Sequence, residues 1–191
     1  MTLEIRKGKL ADAMPLILEH HYTRRRTADP MEVFLWVDGD TTMAAAVFTS
    51  PVNRFFGRGA IELARLVRVP QLEQPLSKFV AACLRSIKKN RDIKYCLSYA
   101  DTTVGHHGGI YQALNFSFVA VSKGGAQWRE ISTGNIVSGR SFDQHAAGNK
   151  AGYERLKPGK KLLYVFPLRE SRNDLLMRFG WTALPYEKPL A

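Results

Sequence analysis

The chain reads AIELARLVRV at residues 60–69, LSKFVAACLRSI at 76–87 and YCLSYA at 95–100. The first and third stretches predict strands because they are short, apolar and rich in β-branched or aromatic residues. The middle stretch repeats its apolar residues at helical spacing and predicts a helix. Pro75 stands at its start, where a missing N–H costs nothing. A strand–helix–strand unit of this kind indicates an α/β fold.

The surrounding elements extend this unit into one sheet. A helix is predicted from about Asp12 to His20, with Asp12 as its cap and Pro15 in its first turn. Strands are predicted at 3–7, 33–37, 43–48, 116–121 and 161–167, a short helix at 109–114, and loops around one short helix at 123–158. We expect an α/β single domain with a mixed central sheet flanked by helices at residues 1–168, and a helical tail at 169–191. The element order resembles that of acetyltransferase-like (GNAT) folds.

The charge balance indicates a polyanionic partner. Twenty-eight Lys and Arg against 17 Asp and Glu give a formal net charge of +11. A field of this sign attracts nucleic acid. The chain lacks an apolar run long enough for a membrane span and a signal-peptide pattern, so we expect it in the cytoplasm. Cys83 and Cys96 lie in apolar segments and are expected to be buried thiols.

Arg65 is the first candidate site residue. Period-two alternation along residues 60–69 predicts that Arg65 lies on the same face as Ile61, Leu63 and Val67. A buried guanidinium requires a carboxylate partner, a bound anion or a cavity. The sequence leaves two interpretations open, a structural ion pair and an anion-binding residue in a cleft.

Polar residues at the ends of two other elements are further candidates. Asp101 ends a predicted strand, where open α/β sheets bind their ligands, but it can equally cap the following turn. Two glycines precede Tyr111 at the start of the next helix. His21 and Tyr22 follow the first helix, where a histidine can also cap the last carbonyls. Together these residues form the kind of set that an active site on this layout requires.

A basic triplet follows directly, at Arg24, Arg25 and Arg26. It is either a solvated loop or a set of phosphate contacts, for which the bidentate guanidinium is well suited. We predict that the triplet binds the DNA backbone.

Several of these motifs resemble the Mom family of phage proteins. The resemblance rests on His21-Tyr22, the strand Glu62-Leu-Ala-Arg65-Leu, Ser77, and the block Tyr99-Ala-Asp101-Thr-Thr-Val-Gly-His-His-Gly-Gly-Ile-Tyr111, with Gly139-Arg-Ser141 as a further likeness. It extends over about residues 15–168, and the block from Tyr99 to Tyr111 is its most specific part.

The resemblance implies an activity and a set of site residues. Mom proteins convert adenine in phage DNA to N6-carbamoylmethyladenine, which blocks host restriction enzymes. The resemblance implies that His21, Tyr22, Asp101 and Tyr111 form the reactive centre and hold a metal, with Fe(II) as the implied ion. A histidine nitrogen with carboxylate and phenolate oxygens suits iron. It also implies functional roles for Arg65 and Ser77.

The group donor stays open between two classes. In acetyltransferases a glycine-rich loop before the helix binds the pyrophosphate of acetyl-CoA, whereas this loop reads PQLEQP at 70–75, without a glycine. The carbamoylmethyl group contains a nitrogen that acetyl-CoA does not supply. A glycyl donor such as glycyl-tRNA would supply all its atoms.

Double-stranded DNA is the expected acceptor, and its adenine must leave the base stack to react. Tyr22 or Tyr111 is expected to stack on it. Two other classes compete with a DNA adenine-modifying transferase. One is an acetyl-CoA-dependent N-acetyltransferase acting on a small molecule or protein amine. The other is a non-catalytic DNA-binding module, which the pairing of Arg65 and Asp101 in one site disfavours.

Overall fold

The computed structural model describes residues 3–139 and 142–186. Arg140 and Ser141, quoted above as a family likeness, therefore lie outside the described residues. A seven-stranded sheet has the order β1-β2-β3-β4-β5-β10-β6, and a three-stranded sheet has the order β8-β7-β9. The strands are β1 (Leu3–Lys7), β2 (Pro30–Asp38), β3 (Thr41–Thr49), β4 (Ala60–Arg68), β5 (Tyr95–Asp101), β6 (Ser117–Lys123), β7 (Gln127–Glu130), β8 (Ile136–Ser138), β9 (Tyr153–Arg155) and β10 (Lys160–Pro167).

Helices cover both faces of the large sheet. They are α1 (Leu10–His20), α2 (Leu76–Ile87), α3 (Gly109–Ala113), α4 (Phe142–Ala146) and α5 (Arg172–Phe179). The apolar stripe of α2 is buried against one face, where Phe79 and Cys83 are fully enclosed. On the opposite face α1 packs through Ile17, and α5 packs through Leu175. Among the described residues, no helix is long and apolar enough to cross a membrane.

The sheet opens between its two central strands. β4 and β5 are parallel and pair only where Ala60–Glu62 lies beside Tyr95–Leu97. Both strands continue beyond this ladder, to Arg68 and Asp101. The gap between them is a place where a ligand can reach the middle of the sheet.

A β-bulge in β4 corrects the predicted position of Arg65. Val47 of β3 pairs with Arg65 and Phe48 pairs with Leu63, so Ala64 is the extra residue on β4. The extra residue reverses the alternation of side chains beyond it. Leu63 accordingly packs with the α2 face, whereas Val67 packs with the α1 face. Arg65 therefore shares the α1 face with Val67, and the prediction that it shares a face with Leu63 is wrong.

The central elements agree with the sequence prediction, and three details differ. The hairpin of β2 and β3, the helix after Pro75 and the helical tail are present. α1 begins at Leu10, so Pro15 lies beyond its first turn, and Asp12 accepts a hydrogen bond from the Lys9 N–H from inside the helix. The segment 123–158, predicted as loops around one short helix, also contains the three-stranded sheet.

The small sheet is anchored by aromatic packing. Trp128 of β7 stacks on Phe142 of α4, with ring centroids 4.1 Å apart, and Tyr153 of β9 contacts Phe142 edge-on. Gly124 N–H donates to the Gly159 carbonyl at 2.9 Å, which ties the segment to the start of β10. The sheet thus forms a wall beside the ends of β5 and β10.

Candidate active site

A cavity lies on the α1 face of the sheet, beside the gap between β4 and β5. We call it the basic cavity. Its volume is about 1070 Å³. Its charged lining residues are Arg25, Glu62, Arg65, Lys123 and Lys161, and its aromatic lining residues are Tyr22 and Tyr99. Four cationic side chains against one carboxylate make it suited to an anionic ligand.

Arg65 and Glu62 are brought together in this cavity by the bulge. The Arg65 Nη1 donates to the Ala64 carbonyl at 2.7 Å, and its Nε is buried without a hydrogen-bond partner among the described residues. Burial lowers the pKa of Arg65, and burial raises the pKa of Glu62 although the positive charges of Arg65 and Lys161 oppose that rise. No ion pair within 4.0 Å is recorded for Arg65 in the described part of the chain. The structural ion pair is therefore not seen among these residues, and the anion-binding role stays a prediction.

Asp101 is buried at the end of β5, and both of its oxygens are occupied. The Thr103 N–H donates to Oδ1 at 3.0 Å, while Gln127 Nε2 donates to Oδ2 at 2.7 Å. The Lys161 ammonium lies 3.4 Å from Oδ2. Burial would raise the pKa of Asp101, but these hydrogen bonds and the charge of Lys161 outweigh it and hold this pKa below its usual value. Asp101 thus caps the following turn and also holds two residues of the cavity wall in place.

A second cavity, of about 510 Å³, lies at the gap on the α2 face, and we call it the strand-gap cavity. Leu63, Leu66, Leu76 and Ala100 contribute apolar surface, and residues 105–111 close one side. Tyr22 and Tyr99 line both cavities, so the two spaces meet at these rings.

Tyr111 belongs to a chain of hydroxyl groups in the strand-gap cavity. The Ser98 hydroxyl donates to the Leu63 carbonyl at 2.9 Å and lies 2.8 Å from the Tyr111 hydroxyl. Because the carbonyl can only accept, the single Ser98 proton points to Leu63 and the Tyr111 O–H donates to Ser98. Burial raises the pKa of Tyr111 to about 12, so its hydroxyl stays protonated at neutral pH.

His21 and Tyr22 lie at the junction of α1 with the cavities. Their rings stack with centroids 4.5 Å apart. The Thr23 N–H donates to His21 Nδ1 at 3.2 Å, and the Thr23 hydroxyl oxygen lies 2.9 Å from the same nitrogen. Burial, together with the charges of Arg65 and His106, lowers the pKa of His21 to about 3. The imidazole is therefore neutral across the physiological range.

These residues do not fit the iron ion that the resemblance implies. The described residues contain no group of three or more His, Cys, Asp and Glu side chains placed to hold a metal ion. His21 Nδ1 is already engaged by the backbone N–H and the hydroxyl of Thr23. Both Asp101 oxygens already accept hydrogen bonds, and the Tyr111 hydroxyl keeps its proton. A metal bound through Asp101 and Tyr111 would have to compete with these hydrogen bonds and displace the Tyr111 proton.

Ser77 is placed beside the site but does not line it. It is half-buried in the first turn of α2, and its neighbour Leu76 lines the strand-gap cavity. The site therefore contains His21, Tyr22, Arg65 and Tyr111 on the cavity walls and Asp101 behind them.

The basic triplet divides into three different environments. Arg24 donates to the Thr133 carbonyl at 3.2 Å, and Arg26 forms an exposed ion pair with Asp29 at 3.1 Å. Only Arg25 lines the basic cavity. Among the three, Arg25 is placed to meet a ligand there.

Sequence reasoning missed Glu62, Gln127 and Lys161 as site residues. Glu62 was quoted only as part of a strand, and without the bulge it points away from the predicted position of Arg65. Lys161 pairs with Asp101 across β5 and β10, a register that joins residues 60 positions apart. Glu62 gave a local signal, as a charged residue inside an apolar strand segment, whereas Gln127 and Lys161 gave none.

Comparison with solved structures defines the class of fold. The Escherichia coli ribosomal-protein-S18-alanine N-acetyltransferase aligns with a TM-score of 0.57 at 10% identity, over 89% of this chain and 96% of that one. An N-acetyltransferase from Staphylococcus aureus Mu50 aligns with a TM-score of 0.58 at 12% identity, over 88% and 100%. A Bacillus subtilis acetyltransferase in complex with CoA aligns with a TM-score of 0.51 at 13% identity, over 87% and 99%. The chain therefore has a GNAT-like α/β fold, as the element order predicted.

Within this class the chain belongs to the Mom protein family, which it matches over residues 2–186. The match is longer at both ends than the resemblance over residues 15–168 and takes in α5. No curated protein sequence matches the chain. The predicted family is thus confirmed, and family and fold together indicate a transferase.

Proposed function

We propose that this protein converts adenine in double-stranded DNA to N6-carbamoylmethyladenine and thereby protects phage DNA from host restriction enzymes in the host cytoplasm. The single observation that carries the proposal is the basic cavity, which combines cationic and aromatic side chains beside the open centre of the sheet. The family supports the reaction, and the formal charge of +11 supports the DNA partner.

The basic cavity suits a nucleotide that has left the base stack. A flipped base is held by stacking and by hydrogen bonds to its edge. Tyr22 and Tyr99 supply aromatic rings, and Gln127 supplies an amide. Arg25 and Lys123 supply positive charge for the phosphates of the extruded nucleotide.

The strand-gap cavity is the place we assign to the group donor. It meets the basic cavity at Tyr22 and Tyr99, so a donor and an adenine would approach each other there. The donor that we favour is a glycyl ester such as glycyl-tRNA, since acetyl-CoA lacks the nitrogen of the product. The segment 70–75 offers no glycine-rich loop for a pyrophosphate, which agrees with this choice.

Glu62 is the residue that we assign as proton acceptor. It is the carboxylate that lines the basic cavity. Its pKa is raised towards neutral pH, which suits a general base. Arg65, with an unpartnered Nε, would bind an anionic group of the substrate or donor. Tyr111 would offer its hydroxyl oxygen as a hydrogen-bond acceptor, since it stays protonated and its one proton is directed to Ser98.

An acetyl-CoA-dependent N-acetyltransferase is the second candidate. It is favoured by the gap between β4 and β5, because the strand-gap cavity reaches from this gap to Leu76 at the start of α2. Acetyl-CoA consumption with a protein or small-molecule amine, in the absence of any DNA change, would support it.

Nucleoside mass analysis of plasmid DNA tests the proposal. Plasmid from cells that express the protein is expected to contain a new modified deoxyadenosine and to resist restriction enzymes whose sites contain adenine. Cells that express Glu62→Gln provide the control, with the same protein level and unmodified DNA. Unmodified DNA from cells with soluble wild-type protein would refute the proposal.

A further inference from the structure

The loop between β3 and β4 presents an apolar side chain at the mouth of the basic cavity. We call residues 50–58 the β3–β4 finger. Val52 is 80% exposed and lines the cavity together with Asn53. Scattered apolar side chains on a surface are ordinary. Val52 differs from these because it lines a strongly cationic cavity while most of its side chain stays exposed.

The finger is held rigidly against the sheet. Pro51 limits the backbone on one side of Val52. On the other side the Asn53 side chain accepts the Phe55 N–H at 3.0 Å and caps a short 3₁₀ turn. Phe56 is buried, and the Tyr95 hydroxyl donates to its carbonyl. The backbone on both sides of Val52 is therefore restrained.

The charge around the finger points to a nucleic-acid partner. Arg54 and Arg58 are exposed, and within the described residues no side-chain partner is recorded for either. The finger contains no acidic residue, and Arg25 and Lys123 lie on the wall of the cavity that it borders. A second copy of this chain, at +11, would be repelled from such a surface.

We propose that the β3–β4 finger inserts Val52 into the DNA duplex at the position that the extruded adenine leaves. The inference rests on the proposed function, since it assumes a flipped adenine in the basic cavity. Extrusion of a base costs a few kcal/mol of pairing and stacking. An apolar wedge that enters the base stack offsets part of this cost. Arg54 and Arg58 would bind the phosphates on either side of the gap.

Two substrates separate this role from general DNA binding. The first is a duplex centred on an adenine that the wild-type protein modifies in plasmid DNA. In this duplex the adenine is paired with thymine. The second is identical but places an abasic site opposite that adenine, which is then already unpaired. Val52→Ala is expected to slow modification of the paired adenine about tenfold and to leave the unpaired one within about twofold of wild type.

Matched variants control the experiment. Ile131→Ala removes another exposed β-branched side chain, 66% exposed and away from both cavities, and should change neither rate. Val52→Leu keeps an apolar wedge and should retain most of the rate on the paired adenine. Val52→Ala should leave the melting temperature unchanged, since the side chain is exposed.

The outcomes distinguish the finger from the proposed function. Equal loss on both substrates, or no loss on either, would overturn the wedge. The wedge would also be overturned if Val52→Ala changed only the sedimentation of the DNA-free protein, because the finger would then mediate contacts between copies. If the wild-type protein modifies no adenine in plasmid DNA, the proposed function fails. The wedge is then tested by the fluorescence of 2-aminopurine in duplex DNA, which increases when that base leaves the stack. Addition of the wild-type protein must increase this fluorescence, and addition of Val52→Ala must not.

Discussion

The clearest test of the site compares Asp101→Asn with Glu62→Gln. Both changes replace a carboxylate by an amide of the same shape. Because both oxygens of Asp101 are occupied by protein groups, we assign it a positioning role for Gln127 and Lys161. Glu62 lines the cavity and is the assigned proton acceptor. The two variants should therefore differ in the size of their effect on DNA modification.

The stability cost of Asp101→Asn follows from its contacts. An amide oxygen can keep the Thr103 N–H, and rotation of the Gln127 amide would bring its buried, unpartnered Oε1 to the new NH₂ group. The attraction to Lys161 at 3.4 Å is lost, but that side chain is 37% exposed and can be solvated. We expect a loss of about 1–3 kcal/mol in the free energy of unfolding. For a chain of this size that is about 2–10 °C in melting temperature.

Asp101→Asn, which is expected to lower stability, should have the smaller effect on activity. Asp101→Asn is expected to slow modification by about 10–100-fold, as the loss of a supporting hydrogen bond usually does. Glu62→Gln is expected to slow it by about 10²–10⁴-fold, the range for a lost general base. It should also raise the melting temperature at neutral pH, because a carboxyl with a raised pKa destabilises the fold once it is ionised.

The measurement is melting temperature and modified deoxyadenosine on the same preparations. Asp143→Asn is the control, since Asp143 forms an exposed ion pair with Lys150 at 2.9 Å and does not line either cavity. A folded Asp101→Asn protein with full activity would remove Asp101 from the site. A larger activity loss for Asp101→Asn than for Glu62→Gln, with both proteins folded, would refute the assignment of roles.

Three further predictions follow from other parts of the structure. Arg25→Ala should reduce the salt dependence of DNA affinity by about one unit of slope, while Arg26→Ala should not, because Arg26 is paired with Asp29; equal slopes would contradict this. The neutral His21, with a pKa of about 3 against 6.5 unfolded, stabilises the fold above pH 6.5, and this contribution is lost as pH falls from 6.5 towards 3. The slope is about 1.4 kcal/mol per pH unit, and His21→Gln should remove it in urea titrations. Leu175→Ala, at a fully buried position of α5, should cost about 2–5 kcal/mol in urea unfolding; a smaller loss would show that the tail adds little to the core.

The order of elements could be predicted from the sequence because each central segment has one dominant periodicity. The residues of α2 repeat at helical spacing, and the hairpin of β2 and β3 is marked by the turn at Gly39, which has a positive φ of 59°. The segment 123–158 lacks such a signal. Its strands are three or four residues long, too short for an alternation to be read, so the small sheet could not be predicted. The division of the chain at residue 168 stays a prediction.

Two residues of the candidate site were predicted because each stood out against its element. Arg65 in an apolar strand and Asp101 at a strand end were recognised in this way. The partners of Asp101 could not be predicted in this way, and they are Lys161 and Gln127. Those contacts depend on the register of β10 and on the small sheet, which no local pattern encodes.

The bulge at Ala64 is the feature that joins the fold to the proposed chemistry. It turns Arg65 to the face that carries Glu62 and Tyr99, and it leaves a guanidinium half-buried with an unpartnered Nε. Such a group destabilises the free protein, since burial disfavours its charge. An anion that enters the basic cavity would pair with Arg65 and remove that cost. The free energy of binding would then be more favourable by the amount by which the buried guanidinium destabilises the free protein. The same residue that weakens the free protein is therefore the one expected to contribute most to recognition of an anionic ligand.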